Sequence, residues 1–130
     1  MKIEIDFNED QLIDAVMANY PEHSSSSLRC RGWDYDKCQF DFDDLEVPTV
    51  EKAKQLGSLI EPMQARGATW YFVTRDHLRA GLARLLYAMK EGKLNGLHIN
   101  LGNFTDPGNW DADCSDALVQ AAVFGEVRYG

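Results

Sequence analysis

An α+β fold is what the sequence predicts: one domain over residues 1–130, in which a mixed β-sheet of about five strands carries three to four helices. Three observations lead there. Short stretches such as "KIEIDF" and "GLHINLG" alternate apolar and polar residues with the period of half-buried strands. Between them run apolar stripes at 3.6 residues per turn. "LRCRGW" followed by "KCQFDF" reads as a hairpin, which a purely parallel sheet does not contain. The same element order allows a three-layer α/β arrangement as the alternative.

In chain order, Ile3, Ile5 and Phe7 face one side of a first strand. Asn8 is a candidate N-cap, with Glu9 and Asp10 in a first turn where the helix dipole favours acids. Leu12, Ile13, Val16, Met17 and Tyr20 then form one stripe, and Pro21 ends it. "PEHSSSSL" offers neither apolar payload nor helix preference and reads as a loop. The hairpin follows, with a turn expected between Gly32 and Asp36. Pro48 and Thr49 introduce a second helix whose face holds Ala53, Leu56, Leu59, Ile60 and Met63, weakened by Gly57 and interrupted at Pro62.

"ATWYFV" is a strong strand by its β-branched and aromatic content. Thr74 caps the next predicted helix, from Asp76 to Glu91, with Leu78, Leu82, Leu85, Leu86 and Met89 in one stripe and Gly92 as a C-terminal stop. Its other side, Ala80, Ala83, Tyr87 and Ala88, is a surface of mostly small residues that suits another helix or a second subunit. Leu97, Ile99 and Leu101 alternate in a further strand. "ADCSDALVQAAVFG" has almost no wet face and is expected to be the most buried helix, and "EVRYG" is read as an edge strand through Val127 and Tyr129.

Charge narrows the function classes. The net charge of −8 lies wholly within residues 1–61, which hold 14 acids and 6 bases; residues 62–130 hold 7 of each. Such a balance opposes general binding to a phosphate backbone, which requires clustered Lys and Arg. The cysteines, Cys30, Cys38 and Cys114, are odd in number and show no C-x-x-C pair, as expected of buried thiols in a reducing compartment. With no signal-like N-terminus and no apolar run of membrane length, the expected location is cytoplasmic, without membrane contact.

Motifs for catalysis are absent from the sequence: it has no phosphate-binding glycine loop, no dinucleotide fingerprint, no H-E-x-x-H and no G-x-S-x-G. The D-x-D spacings of "DYDKCQFDFDDLE" fail as a calcium loop, because Gln39 stands where glycine is needed and Leu45 where the bidentate glutamate is needed. No metal or cofactor is therefore expected, and the balance leans away from an enzyme. His23 falls in the serine loop and His77 in a helical first turn; His98, paired with Asn100 on the polar side of its strand, is the histidine best placed for a polar pocket. Arg75 and Arg79, one turn apart beside Asp76, make with them a candidate anion pocket, the basis of an alternative reading as a small enzyme or a protein that binds small anions or nucleotides.

The favoured reading is a non-catalytic acidic interaction protein. Its size and charge resemble those of bacterial immunity proteins and phage-encoded inhibitors, a likeness of composition alone. Trp33 and Tyr35 would anchor the contact, within a rim of Asp34, Asp36, Asp41, Asp43, Asp44 and Glu46. The expected partner is a protein with a basic surface, with homo-oligomerisation as a further option.

Overall fold

A computed structural model describes residues 10, 13, 14, 17, 28–90 and 112–128. Among them the fold is α+β, with a four-stranded sheet in the order β1 (Leu28–Asp34), β2 (Gln39–Asp44), β4 (Ala68–Thr74), β3 (Met63–Ala65). Every pairing is antiparallel, where sequence reasoning expected a mixed sheet of about five strands. The predicted strands at 2–7 and 96–101 lie outside the described residues. Three helices, α1 (Val50–Gln55), α2 (Arg75–Lys90) and α3 (Ala112–Phe124), complete the order. Asp10, Ile13, Asp14 and Met17 are helical too and share one side by their spacing.

Two tight connections fix the sheet. In the β1–β2 hairpin, the Asp34 side chain accepts the Lys37 N–H at 3.2 Å, and the Cys38 N–H donates to the Tyr35 carbonyl. The turn therefore occupies residues 35–38, and Gly32 sits within β1 beside a bulge rather than in the turn. The β3–β4 hairpin turns on Arg66 (φ 52°) and Gly67 (φ 74°), both left-handed, as a two-residue type I′ turn requires.

The segment after α1 departs from the predicted long helix. Thr49 caps α1 by accepting the Lys52 N–H, and the helix ends at Leu56 because Gly57 takes a left-handed φ of 85°. Leu59 then donates its N–H to the Val123 carbonyl at 2.8 Å, and the chain is extended by Met63. Gln64 fastens the new strand: its amide donates to the Pro48 and Ala68 carbonyls and accepts from the Val50 N–H.

The inner face of the sheet bears Phe40, Phe42, Tyr71 and Val73 and is covered by α2 and α3. Tyr71 meets Phe124 edge-on at 6.1 Å, while Leu78, Leu82 and Leu85 fill the space between. As predicted, α3 is buried nearly throughout its described side chains, residues 115–124. The two helices cross where Gly81 faces the Ala122 backbone. That crossing uses the leucine side of α2; Ala83 and Tyr87, expected to pack on a helix or a second subunit, are exposed. No described helix covers the outer face, so the described architecture has two layers, not three. The predicted edge strand at the C-terminus does not form over residues 126–128. There the Arg128 N–H donates to the buried Gln120 side chain instead of to a neighbouring strand.

Candidate functional site

The hairpin tip gathers the expected anchors. Cross-strand pairing places Trp33 opposite Phe40 on the inner side of the sheet. The rings run outward in series: Phe42 to Phe40 at 6.4 Å, Phe40 to Tyr35 at 6.0 Å, Tyr35 to Trp33 at 6.3 Å. Exposure rises sharply along that ladder, from fully buried Phe42 to Tyr35 at 46% and Trp33 at 52%. Each separation falls within the range of favourable aromatic pairs. The outer rings are thus braced by the core.

Asp34 and Asp36 flank these rings and are exposed. Asp34 is partly occupied in holding the turn. Asp36 has no ion pair or hydrogen bond among the described residues. Beside it opens a cavity of about 330 Å³, lined by Tyr35, Asp36, Cys38 and Phe40 from the hairpin, by Asp14 and Met17, and by Arg75.

The other acids of the expected rim separate. Asp41 lies on the outer face, level with Gly32 and Phe72. Asp43, expected in the partner-facing rim, is 3% exposed. Arg29 lies directly opposite and donates to both of its carboxylate oxygens at 3.0 and 2.9 Å, with Arg31 at 3.7 Å. The pairing is bidentate, the strong form of a charge-assisted contact. Asp44 is fully buried; it turns inward with Phe40 and Phe42 and accepts the Glu46 N–H at 3.0 Å. Glu46 is exposed at the turn that follows. Asp43 and Asp44 are therefore withdrawn from any surface a partner reaches.

The candidate anion pair resolves into an internal network. Arg75 donates to Asp14 at 2.6 Å and to Asp10 at 3.4 Å, and Arg79 to Asp10 at 2.8 Å and Asp76 at 3.2 Å. The Arg79 hydrogen bond holds the Asp10 carboxyl below its ordinary range, and Asp14 raises Arg75 in turn. These guanidiniums tie α2 to the N-terminal helical residues. His98 and Asn100 lie outside the described residues. His77, in the first turn of α2, accepts the Thr74 N–H at 3.0 Å through Nδ1. It closes the helix start as a capping-box acidic residue would.

Nucleophilic chemistry gains no support from the thiols. Burial pushes the Cys30 thiol up to about 11 and raises Cys38 as well, so both are held protonated. Among the described residues no group of three or more His, Cys, Asp and Glu is placed to hold a metal ion, and no helix is long and apolar enough to cross a membrane. No family model, no curated protein and no solved structure matches the chain.

Proposed function

We propose that the chain is a non-catalytic docking protein that binds and modulates a protein with a basic surface through the tip of its β1–β2 hairpin. One observation carries this reading: a ladder of aromatic rings, rooted in the core, ends in two exposed rings with Asp34 and Asp36 beside them. Aromatic anchors within a charged rim are the composition of interface hot spots. Because Phe40 braces Tyr35 and Tyr35 braces Trp33, little rotamer entropy remains to be lost on binding. The acids steer a basic partner and fix its orientation, while the rings supply most of the affinity.

The test is capture from the source lysate at low and high salt, with wild type, Trp33→Ala and Asp34→Lys/Asp36→Lys compared, followed by titration of the purified captured protein. The expected result is one partner lost with either variant, and an association rate that falls as the Debye length contracts from about 30 Å at 0.01 M salt to about 3 Å at 1 M. Equal capture by all three forms would refute the hairpin reading.

A further inference from the structure

We propose that the cavity beside the hairpin tip is the receptor for one arginine side chain of the docked protein; the inference rests on the docking reading for the source of that side chain. The hollow measures about 330 Å³. At about 30 Å³ per water molecule, that is room for one long side chain with solvent to spare. Its floor is apolar, formed by Met17, Cys38 and Phe40, each no more than 2% exposed. Cys38 takes a left-handed backbone, φ 52°, where glycine is the usual occupant. This chain keeps a side chain at that φ, and the side chain closes the floor.

Charge selects the occupant. On the helix side three acids share two arginines: Asp14 is held by Arg75 at 2.6 Å, Asp10 by Arg79 at 2.8 Å, and Asp76 by Arg79 at 3.2 Å. No positive charge is left over there for an anion. On the hairpin side Asp36 lines the hollow, is exposed, and has no ion pair or hydrogen bond among the described residues. Lys37 follows it in the chain but does not line the hollow. Among the lining residues two acids, Asp14 and Asp36, stand against one arginine, Arg75, so one added cation brings the site to neutrality.

The aromatic wall selects between cations. Tyr35 lines the hollow beside Asp36 and remains 46% exposed. A planar guanidinium stacks on such a ring while donating two N–H groups to a carboxylate, a combination that an ammonium does not offer. Its aliphatic stem lies along the floor, where Met17, unbranched, adjusts to it.

Titration of the isotope-labelled protein with N-acetyl-arginine N-methylamide at low salt, followed through backbone amide chemical shifts, tests the site. The neutral citrulline analogue, the lysine analogue and inorganic phosphate are titrated in parallel. Arginine amide should give saturable shifts at Tyr35, Asp36 and Cys38 with a Kd of about 1–10 mM, the scale of a single small ligand. The lysine analogue should bind about threefold more weakly and citrulline at least about tenfold, with phosphate inert at these positions. Asp36→Asn should weaken arginine amide about fivefold or more, and Tyr35→Leu should erase the preference over lysine. No saturation by about 50 mM, well above the expected range, would overturn the proposal. So would citrulline, lysine or phosphate binding as tightly as arginine, or an Asp36→Asn protein that binds unchanged. Failure here is separable from failure of the docking reading. If the amide does not bind while Trp33→Ala still abolishes capture, the pocket falls and the tip stands; if the amide binds while all forms capture equally, the reverse holds.

Discussion

A single methyl group placed on Gly81 tests the helix layer. A Cβ there would stand 2.7 Å from the Ala122 backbone nitrogen and 2.8 Å from its Cα and Cβ, where ordinary contact begins at 3.4 Å. The crossing must open by roughly 0.7 Å, and two of the three obstructing atoms are backbone, which no rotamer change moves. Overpacking of this kind costs about 1–3 kcal/mol, and an immovable neighbour sets it in the upper half of that range. Alanine opposes this with about 1 kcal/mol of better helix propensity. Gly81→Ala should therefore lose about 1–2 kcal/mol net, a fall in thermal midpoint of roughly 3–10 °C. Urea and thermal unfolding followed by far-ultraviolet circular dichroism measure it. Ala83→Gly on the exposed side of the same helix serves as control, losing about 1 kcal/mol through propensity alone. Adding Ala122→Gly should recover only part of the loss, since the backbone contacts remain. A Gly81→Ala protein about 1 kcal/mol more stable than wild type would refute a close crossing at this point.

Other outcomes follow from the same contacts. Asp43→Ala should lose about 1–3 kcal/mol by removing the partner of Arg29, while Asp41→Ala, in dilute solution, should change stability by no more than about 0.5 kcal/mol; equal effects would contradict the internal role of Asp43. Gln120→Leu leaves the Arg128 N–H without its acceptor and should cost about 1–3 kcal/mol, with faster carboxypeptidase trimming of the C-terminus; unchanged trimming would count against the clamp. Burial raises Cys30 to about 11 and raises Cys38 and Tyr71 as well. The folded chain therefore keeps protons that the unfolded chain has released, and the stability they contribute, complete below the ordinary thiol value of 9.0, is lost as pH rises toward about 11. Urea unfolding at a series of alkaline pH values checks this, and a stability that is flat or rising across the interval would contradict it.

The legible parts of the fold were those decided by local pattern. β4 declared itself by composition, and the leucine stripe of α2 and the apolar run of α3 were each visible without a partner in view. β3 was not: "MQA" is too short for a period, and its pairing depends on a left-handed turn at Arg66–Gly67, a weaker signal than Asn-Gly. The neighbouring residues, Leu59 and Met63, continue a helical spacing that the chain does not follow, because Gly57 has already ended α1. At the candidate site, the alternation of apolar and polar residues in "KCQFDFD" matches the inward phase of Phe40 and Phe42. The same alternation turns Asp43 outward, yet not into water, because exposure there depends on Arg29, fourteen residues earlier and brought opposite by the hairpin. Asp44 shows the complementary case, a carboxylate on the inner phase kept for its turn hydrogen bond to Glu46.

Cross-strand pairing thus spends part of the acidic stripe inside the chain: Asp43 is held by Arg29 and Asp44 accepts the Glu46 N–H, while Asp34 and Asp36 stay exposed beside the rings of the hairpin tip. If that remaining charge steers a partner and the rings hold it, the two act on different rates. Asp34→Lys/Asp36→Lys should then slow association with the captured protein most at low salt, and Trp33→Ala should mainly speed its dissociation; variants that change both rates alike would contradict the division.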